Sequence, residues 1–211
     1  MLEIVPIILG PVATNAYLIA DSDTGEAAVI DPAWEGHLIA AEASRRNWHI
    51  HQLWITHAHF DHIGGAGQLA GELEAAPVIA LHPEDRLLWE AEGGAALFGF
   101  RLPASPAPTL DLVHGLELQL GHTKFEVRHT PGHTPGHCVF FCAEAGICFC
   151  GDLIFQNSVG RTDLPGGDWE TLVKSIHTQI FSLPDNTRLL SGHGPETTVG
   201  QEKNANPFVG G

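Results

Sequence analysis

The sequence predicts an α/β (α+β) sandwich in which two mixed β-sheets pack face to face with helices on their outer sides. Three observations point to it. Strands and helices alternate in two successive halves, and each half runs strands first and helices after. Each half supplies a sheet whose apolar face needs a partner, which the other sheet provides. The 211 residues, 44% apolar and 17% charged, are enough to bury one sizeable core, as one domain or two closely fused halves.

Apolar runs of strand length span Leu2 to Ile8, Asn15 to Ala20 and Ala27 to Ile30. A Ser22-Asp23-Thr24-Gly25 turn separates the second from the third, so the chain opens as a meander. Glu3 stands where a signal peptide carries positive charge, and Pro6 and Pro11 interrupt the apolar N-terminus, which therefore reads as a first strand. From Glu35 to Arg46, the pairs Leu38 with Ala41 and Ile39 with Ala43 have helical spacing. Ile50 to Ile55 is a strand running into Thr56. A helix over about Gly64 to Ala76 follows, then a short strand from Pro77 to Leu81. A helix from Pro83 to Leu97 starts with Pro in its first turn, and a Pro-rich loop runs from Gly99 to Pro108. That loop marks the boundary, near 99–112, between the halves of a single domain over residues 1–211. The second half predicts strands at Glu117 to Leu120, Lys124 to Arg128, Cys138 to Cys142 and Ile147 to Cys150. A helix over Asp168 to Phe181 and a strand from Arg188 to Ser191 complete it.

Charge narrows the function. Ten Lys and Arg stand against 25 Asp and Glu, a formal charge of −15, and no basic run could follow a phosphate backbone, which disfavours a nucleic-acid partner. No stretch approaches the roughly 20 apolar residues of a spanning helix, so no membrane partner is expected. Cys138, Cys142, Cys148 and Cys150 crowd around one turn instead of scattering as a disulfide framework would. They read as buried thiols of a cytoplasmic protein, with a metal or redox role as the other reading. The 14 His outnumber Lys and Arg together, which points to chemistry that uses neutral imidazole, such as metal ligation.

The histidines are not spread evenly. Thr56-His57-Ala58-His59-Phe60-Asp61-His62 follows a predicted strand, on a loop anchored by a rigid element. An extended backbone points His57 and His59 the same way, and Asp61 and His62 turn toward a neighbouring point. Three further candidates sit at Gly-flanked turns after strands: His133 in Thr130-Pro131-Gly132-His133, Asp152 after Cys150-Gly151, and His193 in Ser191-Gly192-His193-Gly194-Pro195. Seven N and O ligands suffice for two divalent cations about 3.5 to 4 Å apart with a carboxylate between them. A set without thiolate suits zinc, with iron(II) or manganese(II) as alternatives.

This order of motifs, His57-Ala58-His59-Phe60-Asp61-His62, then His133, Asp152 and His193, resembles the metallo-β-lactamase superfamily along the whole chain. The Thr130 to His137 run, the Gly192-His193-Gly194-Pro195-Glu196-Thr197-Thr198 run, Glu202 and Asn206-Pro207-Phe208 are similar to short members of its glyoxalase II branch. The resemblance implies an αββα four-layer fold with a dinuclear site at one edge of the sheets. It implies that His57, His59 and His133 hold one metal, that Asp61, His62 and His193 hold the other, and that Asp152 bridges. A bridging hydroxide would attack the thioester of an S-D-lactoylglutathione-type substrate, and Asp61 would orient it or take its proton. The protein would act on a small molecule as a monomer or small homo-oligomer.

The sequence departs from that branch in two places. The helical extension that holds glutathione in full-length glyoxalase II does not follow, since the chain ends at Gly211. The Gly160-Arg161-Thr162-Asp163 run replaces the usual Gly-Lys-aromatic. Arg161 is the candidate for a substrate carboxylate, or else pairs with Asp163 or Asp168. The same run occurs in persulfide dioxygenases, which use one iron and oxygen, and this is the alternative activity. Phe60 in place of Ala, and Gly194-Pro195 after His193, weigh against it. Lactone hydrolysis on the same metal pair is a further alternative. His137 is a candidate for fixing a ligand by hydrogen bond, and the other histidines are read as surface or structural. Trp34, Trp54, Trp89 and Phe98 either line a substrate groove or serve the core.

Overall fold

Two six-stranded sheets carry the chain, each an antiparallel meander that continues into parallel pairing. The computed structural model describes residues 1–211 throughout. The first sheet places β1 (Leu2–Leu9), β2 (Thr14–Asp21), β3 (Glu26–Ile30), β4 (His49–Trp54), β5 (Val78–Leu81) and β6 (Leu110–Asp111) side by side in chain order. Pairing is antiparallel from β1 to β3 and parallel beyond, where crossovers through α1 (Gly36–Arg45), α2 (Phe60–Ile63), α3 (Ala66–Glu72) and α4 (Arg86–Glu90) fill the connections. The second sheet contains β7 (Glu117–Leu120), β8 (Thr123–His129), β9 (Cys138–Cys142) and β10 (Ile147–Gly151) as a meander. A small hairpin of β11 (Ile154–Phe155) and β12 (Ser158–Val159) and helix α5 (Trp169–Ser175) follow. They lead to β13 (Arg188–Ser191), which is parallel to β10, then β14 (Thr197–Thr198) and α6 (Val199–Ala205).

Period-two alternation sorts the apolar side chains into three cores. In β2, Ala16, Leu18 and Ala20 face the layer of α1 and α3, while Tyr17 and Ile19 face the second sheet. Between the sheets, Trp54 is fully buried and meets Phe125 edge-on at 5.0 Å, its indole N–H donating to Gln52 Oε1 at 2.9 Å. Leu172, Ile176, Ile180 and Val199 cover the outer face of the second sheet. The expected two-sheet sandwich with outer helices is the fold observed. The four cysteines divide between two of these cores as free, buried thiols, and burial pushes the Cys138 and Cys150 thiols up. No helix is long and apolar enough to cross a membrane.

The helix expected over Pro83 to Leu97 is broken into three pieces. A 3₁₀ turn at Pro83–Asp85 leads into α4, and a second irregular 3₁₀ segment covers Glu92–Phe98. Gly93 and Gly94 at φ 64° and 74° interrupt helical geometry, as side-chain-free residues can without penalty. Gly93 packs so tightly on the Ala58–Phe60 backbone that a Cβ there would lie 2.3 Å from the Phe60 nitrogen. The α5 helix continues into a π turn at Ile176–Ile180, and α3 stops at Glu72, short of the expected Ala76.

One carboxylate joins the two sheets at the end far from the histidines. Asp21, at the end of β2, accepts from the His122 amide at 2.7 Å in the β7–β8 turn, from the Asp23 amide at 2.9 Å, and from the Met1 ammonium at 3.1 Å. The His122 amide leads these groups in outweighing the cost of burial, and the carboxyl falls from 3.8 to about 2. A depressed folded-state value stabilises the fold above the unfolded value and ceases to do so as pH falls through the folded one. The thermal midpoint of the wild type is therefore expected to exceed that of Asp21→Asn at pH 6 and to converge on it by about pH 2. An equal gap at both pH values would overturn this assignment.

Candidate metal centre

Four loops deliver the seven candidate ligands to one edge of the sandwich. β4 ends at Trp54 and throws His57 and His59 forward in extended backbone, and α2 then turns Asp61 and His62 toward them. His133 stands on the loop between β8 and β9, Asp152 just after β10, and His193 just after β13. Asp152 leaves its strand through Gly151 at φ 47°, where a Cβ would lie 2.4 Å from Thr56 Oγ1.

The side chains form two groups around one carboxylate. His59 Nδ1 lies 2.9 Å and His57 Nε2 lies 3.1 Å from His133 Nε2. Asp61 Oδ2 lies 3.1 Å from His193 Nε2 and 3.6 Å from His62 Nε2. Asp152 sits between the groups: its Oδ1 is 3.2 Å from His62 Nε2, and its Oδ2 is 3.7 Å from His133 Nε2 and 3.6 Å from His193 Nε2. Ligand atoms around a tetrahedral ion with bonds of about 2.1 Å stand about 3.4 Å apart, so these spacings match a divalent cation in each group.

Two orphaned atoms test the fit. His62 Nε2 and Asp152 Oδ1 are buried and neither has a hydrogen-bond partner. His62 Nδ1–H donates to Asp31 Oδ2 at 2.9 Å, so the lone pair on Nε2 faces a carboxylate oxygen. Two acceptors at such a distance call for a cation shared by both. Against the cost of burial, Asp152 and Asp61 push the His62 pKa well above the ordinary imidazole value, a measure of how strongly these two carboxylates draw a cation, a proton or a metal ion in its place, to Nε2. Burial and the neighbouring His133 push His59 down to about 3, and burial likewise lowers His57 and His133, leaving these three neutral as ligation requires.

An outer ring of hydrogen bonds fixes each imidazole. His57 Nδ1–H donates to Thr56 Oγ1 at 3.0 Å, and that hydroxyl donates to Asp31 Oδ2 at 2.6 Å. His133 Nδ1–H donates to the Arg161 carbonyl at 2.7 Å. The neutral His137 is held by Thr130 Oγ1 at 2.9 Å and accepts the Asp152 amide at 3.2 Å, so it positions the loop of the central carboxylate. Asp85 is fully buried and accepts from the Ala58 amide at 2.9 Å, the Thr134 hydroxyl at 2.8 Å and the Gly136 amide at 2.7 Å. It straps the His57–His59 loop to the His133 loop. From the other side, Thr14 Oγ1–H donates to Asp61 Oδ2 at 3.1 Å, and Asn15 Nδ2 and Tyr17 O–H donate to the Ser191 carbonyl beside His193. Asp31, Asp85, Asn15 and Tyr17 are absent from the sequence-based site. The faint signal for Asp31 is its place at a strand end before Pro32, as for the ligands themselves.

Arg161 lines the cavity that opens on this centre, together with Phe60, Phe98 and Phe155. Its guanidinium makes two bonds of 2.7 Å to Asp163 through Nε and Nη2. Among the four aromatic candidates only Phe98 reaches this cavity; Trp54 and Trp89 serve cores, and Trp34 packs edge-on against Phe60 at 6.4 Å. A separate gathering of His82, Glu84 and His129 lies outside the centre. The rings of His82 and His129 stack at 4.0 Å with planes 10° apart, and His129 Nε2–H donates to the Pro135 carbonyl. Parallel rings send their in-plane lone pairs side by side, not to a common point, so this cluster braces the His133 loop.

Residues 9–193 match the family profile described as the Metallo-beta-lactamase superfamily. The chain is 38% identical over 211 residues to the hydroxyacylglutathione hydrolase GloC of Haemophilus influenzae, covering 99% of this chain and 97% of that one. Its structure is similar to that of BLEG-1, described as a B3 metallo-beta-lactamase, with 36% identity, complete coverage of both chains and a TM-score of 0.91. TTHA1623, solved in a di-iron-bound form, is similar at 39% identity and a TM-score of 0.88, over 97% of this chain and 99% of that one.

Proposed function

The chain belongs to the metallo-beta-lactamase superfamily and is a metallo-hydrolase by that kinship, and from this premise we propose a thioesterase acting on hydroxyacylglutathiones of the S-D-lactoylglutathione type. The observation that carries the reading is the place of Asp152, whose two oxygens reach toward both groups of ligands at once. His57, His59 and His133 would hold one divalent cation and Asp61, His62 and His193 the other, with Asp152 placed between the two groups. When bound, two such cations lower the pKa of water toward neutrality and polarise a thioester carbonyl, whichever of zinc, iron or manganese is present. The chain's own groups do the rest. Asp61 is kept ionised by His62 and His193 against the cost of burial, and Thr14 fixes its Oδ2, so it orients the attacking water and takes its proton. A thiolate, with a parent pKa of about 8.5, leaves without a strong acid. The similarity to GloC supports the glutathione thioester as the substrate type.

The test is thiol release from S-D-lactoylglutathione by the purified protein, before and after chelation, with metal content measured on the same sample. Chelator-sensitive hydrolysis with two metals per chain is the expected result. No thiol release, with one iron per chain and oxygen uptake on glutathione persulfide, would replace the reading by a dioxygenase.

A further inference from the structure

The walls of the cavity beside the ligands are apolar. Val12, Phe60, Phe98, Phe155, Val159 and Leu164 stand around the opening of about 390 Å³, within the range of small-molecule sites. Phe60 is nearly buried and anchors an aromatic cluster. Phe98 lies tilted against it at 5.0 Å, and Phe100 stacks on it at 5.5 Å. The outer side is bare: Phe98 is 42% exposed and Val12 45%. Gly93 against the Phe60 backbone fixes the segment that carries Phe98, so the ring is held at the opening by packing. Exposed apolar groups that are rigidly held around a polar centre mark a binding surface, because their burial by a ligand releases ordered water at no cost in chain ordering.

Charge on the same walls is missing for an anion. Arg161 is the one Lys or Arg lining the cavity, and the Nε–Nη2 edge of its guanidinium is taken by Asp163. A glutathione moiety carries two carboxylates, and the lining offers them a single guanidinium that already carries a carboxylate partner. The thiol half of a thioester therefore extends outward at the mouth, and the acyl half enters.

Resting on the thioester reading above, we propose that Phe98, Phe60 and Val12 form an acyl subsite that favours aromatic or branched aliphatic acyl groups over acetyl, so that the thioesters taken extend beyond the lactoyl type. Phe98 is its specificity-determining residue. The carbonyl carbon then sits at the ligand cluster while the acyl ring covers Phe98, removing both from water.

Two paired measurements test this. With the metal-loaded enzyme, kcat/KM for S-phenylacetylglutathione is expected to exceed that for S-acetylglutathione by about tenfold or more, the effect of burying one ring. S-Benzylglutathione, a thioether that cannot be cleaved, is expected to bind about tenfold more tightly than S-methylglutathione by calorimetry. Phe98→Ala, at an exposed position that folding tolerates, is expected to shrink both ratios to about threefold or less, and Phe98→Leu to restore most of them. Equal kcat/KM for the two thioesters together with equal affinity for the two thioethers overturns the subsite and leaves the thioesterase reading standing. Benzyl selectivity that depends on Phe98, without hydrolysis of either thioester, does the reverse. Ratios that survive Phe98→Ala unchanged overturn the role of Phe98.

Discussion

Asp152→Asn is expected to lower kcat by about three orders of magnitude, roughly 4 kcal/mol of barrier, and to reduce bound metal from two ions per chain to one or fewer. The substitution preserves volume and the backbone amide that His137 accepts, so the loop keeps its shape while the negative charge between the two ligand groups is lost. In the wild type, Asp152 offers Oδ1 to the His62 side and Oδ2 to both sides. An amide keeps at most one good acceptor and turns a donor toward whichever group meets its nitrogen. His62 Nε2 then loses its nearest carboxylate oxygen, at 3.2 Å, and keeps only Asp61 Oδ2 at 3.6 Å. Metal analysis and turnover on one preparation decide the matter. A variant that retains two ions and full activity would remove Asp152 from the centre.

Asp85→Ala is expected to weaken metal binding by about 10- to 100-fold and to cost about 3–5 kcal/mol of stability, a fall of roughly 10 °C in the thermal midpoint. The carboxylate is fully buried, and burial pushes its pKa up even though three donors oppose the shift. Alanine leaves the Ala58 amide, the Thr134 hydroxyl and the Gly136 amide without a partner at the same time, in a space no side chain then fills. The strap also sets the register between His57 and His59 on one loop and His133 on the other, whose nitrogens approach to 2.9 and 3.1 Å. Metal affinity measured well below the thermal midpoint separates the two effects. Unchanged affinity in a destabilised Asp85→Ala would make the residue a structural brace alone.

The candidate ligands were legible because they obey a local rule: each group follows a strand and sits beside a glycine or inside one short cluster. The strands were legible for a similar reason, since β2 and β9 are buried on both faces and read as unbroken apolar runs. What the sequence concealed depends on contacts between distant segments. Asp85 stands in Pro83-Glu84-Asp85, a combination that reads as a helix start, and only the fold brings Thr134 and Gly136 to it. Glu202, which the sequence marks only through its resemblance, accepts from Thr197, Asn157 and Asn206 and so joins α6 to the β11–β12 hairpin, partners that Gln201-Glu202-Lys203 does not reveal. Strands of two residues, such as β6 and β14, carry too little pattern to detect. The break at Gly93-Gly94 was visible as composition, but its purpose, seating a turn against Phe60, was not.

The hold of β2 on the loop after β13 also sets when the centre comes into being. Asn15 and Ser191 lie 176 residues apart in the chain, yet the Asn15 amide bonds Gly192 and Thr14 bridges to His193. During synthesis the first-made strands therefore wait for nearly the last-made loop, and a nascent chain that has completed only the first sheet exposes His57, His59, Asp61 and His62 without closing either group. Contacts of such long sequence separation make for slow folding, and the incomplete centre can meet stray cations in the interval. The loop after β13 thus closes the site last, fastening the first strands to one of the latest-made segments.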